Sequence, residues 1–144
     1  MIEQDTIRLL RECDEGVKMG ISSIEDVLGH VRSDKLERLL TDCKKEHESL
    51  HGELQALLQR YHDEGKDPPA IASVMSELMT KMKLALHDSD AEIADLMTEG
   101  CNMGVKSLSK YLNQYAAAAE PSKGMARRLI ALESDLAVDL HGYL

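Results

Sequence analysis

Glu15-Gly16-Val17-Lys18-Met19-Gly20-Ile21 is written twice in this chain. It returns as Glu99-Gly100-Cys101-Asn102-Met103-Gly104-Val105, and Ser23, Ile24 and Leu28 are echoed by Ser107, Leu108 and Leu112. A weaker echo follows at nearly the same offset. Arg38-Leu39-Leu40 and Leu50-His51-Gly52 return as Arg128-Leu129-Ile130 and Leu140-His141-Gly142. What repeats is therefore a pair of elements.

Outward from the first copy, Ile7, Leu10, Asp14, Val17, Ile21, Ile24, Leu28 and Val31 alternate in steps of three and four, the seam of a long helix near 5–31 that Asp5 or Thr6 would cap. Ser33-Asp34 breaks the run. Asp34 and Glu37 read as a capping box for a second helix near 34–63, with its seam at Leu36, Leu40, Cys43, His47, Leu50, Leu54, Leu57 and Tyr61. Gly65 and Asp67-Pro68-Pro69 end it. Ile71, Met75, Leu78, Met82 and Ala85 mark a shorter amphipathic helix near 69–86. Ser89 with Glu92 opens the next, near 90–117. The last, near 122–143, has Leu129, Ile130, Glu133, Leu136, Ala137, Leu140 and Leu144 on its inner face. No segment alternates with period two, so no sheet is expected.

The connection between the second and third long helices is too long for a simple up-down bundle. It can run the length of the molecule, which makes those two helices parallel and relates the hairpins by a pseudo-twofold axis. The expectation is all-α: a ferritin-like four-helix bundle of two repeated helical hairpins with an added short crossover helix, one domain over 1–144.

Composition points the same way. With no Phe, no Trp and four Tyr, the core is aliphatic. A net charge of -9 argues against nucleic acid and against anionic membranes as partners. Cys13, Cys43 and Cys101 lie far apart and form no Cys-x-x-Cys, which reads as buried thiols in a reducing compartment. No basic region or apolar run opens the chain, so the expected location is cytoplasmic.

In a bundle of this kind the site lies on the axis relating the repeats, with carboxylates and Glu-x-x-His pairs holding metal. The candidates are Glu15, Glu48, His51, Glu99 and His141. Glu48 and His51 form a literal Glu-x-x-His. Counting from the two turns sets Glu15 opposite His51, and Glu99 opposite His141. The set is incomplete, because Val138 stands where the second Glu-x-x-His needs its Glu. His47, a polar member of its seam, is expected to hydrogen-bond a seam aspartate such as Asp14. Gly16, Gly20, Gly100 and Gly104 each cost about 1 kcal/mol relative to Ala inside a helix, and close helix crossing is the first explanation, room for a ligand the second.

The order of hairpin, break, short helix and hairpin resembles a bacterial family of ferritin-like four-helix-bundle proteins of unknown function. Asp14-Glu15-Gly16, Glu53-Leu54-Gln55, Gly65-Lys66-Asp67-Pro68, the stretch from Glu99 to Tyr111, and Leu140-His141 carry the resemblance. Two features depart from it: no Trp stands in the crossover helix, and Gly104 occupies a place where the family tends to have an acid. The resemblance implies a fold and no settled activity.

The leading expectation is a non-catalytic module that binds a protein partner or self-associates as a homo-oligomeric dimer, with no resident cofactor. The alternative is a di-metal carboxylate protein, with iron, manganese or another divalent metal, that handles iron or oxygen.

Overall fold

The computed structural model describes residues 2–69, 80 and 89–144. It contains four long helices: α1 (Ile2–Leu28), α2 (Asp34–Arg60), α3 (Asp90–Gln114) and α4 (Glu120–Leu140), with a 3-10 turn over His141–Tyr143. Among the described residues there is no strand. The short helix expected near 69–86 falls almost wholly outside those residues.

Local chemistry sets the helix ends. Ser33, one residue ahead of the expected capping box, is the cap of α2: its extended backbone lets Oγ accept from Leu36 N at 3.3 Å. Ser89 caps α3 as expected, accepting from Glu92 N at 3.2 Å. α1 starts earlier than its expected caps. Asp5 and Thr6 lie inside it and reach across the bundle, where Asp5 accepts from Ala117 N at 3.1 Å and Thr6 Oγ1 from Ala119 N at 2.8 Å. Ala119 is the N-cap of α4 and has no side-chain oxygen, so Thr6 supplies an acceptor there from another helix.

These contacts orient the bundle. The α1–α2 turn sits beside the start of α3, because Asp90 accepts from Arg32 N and Ser33 N, each at 2.9 Å. The α3–α4 turn sits beside the start of α1. Hence α2 and α3 begin at the same end and run in the same direction, giving an up-down-down-up order. The principal pairings are α1 with α2 and α3 with α4; α1 also packs on α3 and α4, and α4 on α2.

The core divides in two. One cluster, toward the α1–α2 turn, contains Ile24, Val27, Leu36, Leu40, Ile93, Leu136 and Leu140. The other contains Leu9, Leu10, Val17, Leu50, Leu54, Leu58, Leu108 and Leu129. Each such side chain, fully buried, contributes about 1.5–3 kcal/mol. In sequence, Gly20, His47, Gly104 and Glu133 each fall between a residue of one cluster and a residue of the other. They form a polar layer at mid-bundle, and that layer positions the site.

Candidate functional site

His47 is 1 % exposed and is held at both ring nitrogens. Nδ1 lies 2.8 Å from the Cys43 carbonyl oxygen and Nε2 lies 3.1 Å from Glu133 Oε1. A carbonyl only accepts, so Nδ1 carries a proton; facing a carboxylate, Nε2 needs one as well. The ring is therefore an imidazolium paired with Glu133. Burial disfavours its charge, but the hydrogen bonds to Cys43 and Glu133 prevail and raise its pKa to about 10. The expected partner Asp14 is replaced by Glu133, which the periodicity had already placed on the inner face of the last helix. Gly20 makes this possible: a Cβ there would stand 2.7 Å from His47 Nε2.

The thiols around this layer are quiet. Cys13, Cys43 and Cys101 are all free and buried. Burial, reinforced by the charges of Glu12 and Asp14, pushes the Cys13 thiol up to about 12. Burial and the neighbouring Glu133 carboxylate push the Cys101 thiol up as well.

Asp14, fully buried, anchors a different structure. Its Oδ1 accepts from Gln55 Nε2 at 2.8 Å and lies 3.3 Å from His51 Nε2; its Oδ2 accepts from Lys66 N at 3.1 Å and lies 2.7 Å from Lys18 Nζ. The chain leaving α2 is thereby tied to α1. Gly65 has φ +91°, and any Cβ there would collide with the Asp14 carboxylate. Arg11 pairs with Asp63, Lys18 with Asp67 at 2.7 Å, and Lys66 with Glu12 and Glu15, each at 2.9 Å.

The five sequence candidates are distributed as follows. Glu15 pairs with Lys66, and half-buried His51 leans on Asp14, so the register count lands one residue from the observed contact. Glu48, Glu99 and His141 are exposed. Among the described residues no three His, Cys, Asp or Glu side chains stand as a ready cage for an ion. The buried cluster of His47, Glu133, Cys43 and Cys101 was not singled out as a site from sequence. Its signal was there in two polar members of otherwise apolar seams, His47 and Glu133.

The duplicated motif has a direct structural meaning. α1 and α3 run antiparallel and flank a groove of about 680 Å³. One wall carries Glu15, Gly16, Met19, Gly20 and Ser23; the other carries Glu99, Gly100, Met103, Gly104 and Ser107. Glu133 and Cys101 also line it. The glycines do not share one cause. A Cβ on Gly20 would strike His47, one on Gly16 would come within 3.4 Å of Leu129, one on Gly104 would rest on Glu133 at 3.6 Å, and one on Gly100 would meet nothing among the described residues. Among the described residues, the space is taken outright at Gly20, by a side chain, and Gly16 is within contact distance of another. Among the described residues, backbone crossing does not explain the stripe; it faces a groove that Thr80, from the connection between α2 and α3, also lines.

The fold and site define an all-α four-helix protein with a charged pair buried at mid-bundle. The chain belongs to the family described as Domain of unknown function (DUF2383), whose model matches residues 5–118. It is similar in structure to the crystal structure of a DUF305 fragment from Deinococcus radiodurans, with a TM-score of 0.74 at 10 % identity over 96 % of this chain and 93 % of that one. At that identity the likeness is one of fold. No curated protein matches the chain. Among the described residues, no helix is long and apolar enough to cross a membrane.

Proposed function

We propose that this protein is a non-catalytic helical module that engages a partner, or a second copy of itself, through the groove between α1 and α3. The observation that carries this reading is that both copies of the repeated motif wall one groove, with Met19 and Met103 left 43 % and 68 % exposed on it. Methionine is flexible and polarisable, which suits an adaptable apolar contact. The buried groups do not favour acid–base or nucleophilic chemistry, since His47 is locked at both nitrogens and the Cys13 and Cys101 thiols are held protonated. The up-down-down-up order supports a ferritin-like affiliation. The di-metal alternative draws less support from Glu48, Glu99 and His141 on the surface.

The test fills the groove. Gly100→Leu meets no neighbour among the described residues and should leave the thermal transition near that of the parent chain. It should also abolish concentration-dependent association in sedimentation velocity and weaken uptake of the apolar dye Nile red by about tenfold. Unchanged association and dye uptake in a folded Gly100→Leu chain would refute the reading.

A further inference from the structure

The repeat gives the groove a charge pattern as well as a shape. Cβ atoms on Gly20 and Gly104 would both approach Glu133, at 3.4 Å and 3.6 Å, so the two glycines stand at one level of the bundle. Glu15 lies five residues before Gly20, and Glu99 five before Gly104. Because α1 and α3 run antiparallel, those steps lead in opposite directions. At about 1.5 Å per residue the two glutamates stand roughly 15 Å apart along the groove, one on each wall. Met19 and Met103, each next to its glycine, lie between them.

The charges do not cancel. Among the described residues the lining carries four carboxylates, Glu12, Glu15, Glu99 and Glu133, and no Lys, Arg or His. Glu133 is balanced by the His47 imidazolium. Lys66 meets both Glu12 and Glu15 at 2.9 Å, which leaves one negative charge at that end. Exposed Glu99 places another toward the opposite end. The groove therefore has an apolar middle between two acidic ends. A second copy of this chain brings a further net charge of -9, so electrostatics favours an occupant of the other sign.

Resting on the reading of the groove as a docking surface, we propose that its occupant is a cationic amphipathic helix of another protein, with Lys or Arg about three turns apart on either side of an apolar centre. About three turns of helix cover the roughly 15 Å between Glu15 and Glu99. Such a helix lays its apolar side chains on Met19 and Met103, whose flexible thioethers adapt to them, while its two cations reach the acidic ends. The charges select the partner and fix its position along the groove, and the apolar middle supplies affinity.

Fluorescence anisotropy on the full chain, at about 0.15 M ionic strength to screen loose attraction, tests this with labelled helical peptides of alanine, leucine and lysine. One peptide carries lysines about three turns apart around leucines. A second has the same composition with its lysines gathered at one end, and a third replaces them by glutamine. The first should bind saturably and the other two about tenfold more weakly. Glu99→Gln should weaken the first peptide by about threefold. Glu46→Gln, at an exposed position on α2, should leave its binding unchanged, and Gly100→Leu should abolish it. Equal binding of the gathered-lysine peptide, or equal losses in Glu99→Gln and Glu46→Gln, would mean general attraction to an acidic protein and overturns the proposal. Equal binding of the glutamine peptide that Gly100→Leu abolishes overturns the cationic partner and leaves the groove reading standing. A chain that binds none of the peptides also overturns it, and self-association that Gly100→Leu removes then keeps the groove reading. If Gly100→Leu alters neither peptide binding nor association, both fall.

Discussion

His47 and Gly20 show how one residue's size licenses another's charge. His47 Nε2 lies where a Cβ on Gly20 would have to go. Gly20→Ala is therefore expected to destabilise by about 1–3 kcal/mol through overpacking, although alanine is the better helix former. Gly100→Ala is expected to stabilise by about 0.5–1 kcal/mol, because its methyl meets nothing among the described residues. Urea unfolding of both variants checks the opposite signs. The charged pair also has a pH signature. The pKa of His47 in the folded chain, about 10, lies above its ordinary value of 6.5. A group raised on folding contributes stability that is fully present below the unfolded pKa and is lost as pH rises through the folded one. The urea midpoint of the parent chain should therefore fall relative to that of Glu133→Gln between about pH 7 and 10. Parallel curves over that window would show that the pair does not hold the proton.

Among the elements, the segment that follows α2 is tied down by one buried carboxylate. Asp14 accepts from the Lys66 amide and the Gln55 side chain and neighbours Lys18 and His51, so removing it strands several donors at once. Asp14→Ala is expected to cost about 3–5 kcal/mol, the range for breaking a buried charged pair by deleting one partner. Limited proteolysis should then cut in the stretch 61–67 well before the helices. Resistance equal to that of the parent chain would mean that the surface pairs Arg11–Asp63 and Lys18–Asp67 hold the segment unaided. Helix capping offers a smaller effect. Ser33→Ala should cost about 1 kcal/mol, while Asp34→Ala should cost less, because the cap bond belongs to Ser33.

The whole molecule carries a net charge of -9, and its exposed ion pairs are individually weak. Self-repulsion should dominate the salt response. Raising ionic strength from about 0.01 M to 0.15 M shortens the screening length from roughly 30 Å to 8 Å, and the thermal midpoint should rise. A falling midpoint would mean that attractive pairs such as Lys66 with Glu12 and Glu15 outweigh the general repulsion. At this scale the end-to-end contacts also matter. Asp90 holds the α1–α2 turn, and Asp5 with Thr6 holds the α3–α4 turn, so the order of the helices is stapled at both ends by side chain to backbone bonds.

The chain's own pattern determined the helices, because steps of three and four along Leu36, Leu40, Cys43, His47 and Leu50 leave one apolar face that only a helix can bury. It determined the cap at Ser89 and the interior placement of Glu133 by the same local rules. It also announced that Glu15 to Ile21 mattered, by repeating it. Which acid would meet His47 was a different kind of question. Asp14 and Glu133 both sit on inner faces, and the choice depends on how the helices are rotated and shifted against one another. That is a property of long-range packing and is carried by no single segment. The same holds for the glycines. A helix written with Gly16, Gly20, Gly100 and Gly104 is compatible with a tight crossing or with a gap, and only the spacing of α1 and α3, set by the side chains beneath them, made it a groove.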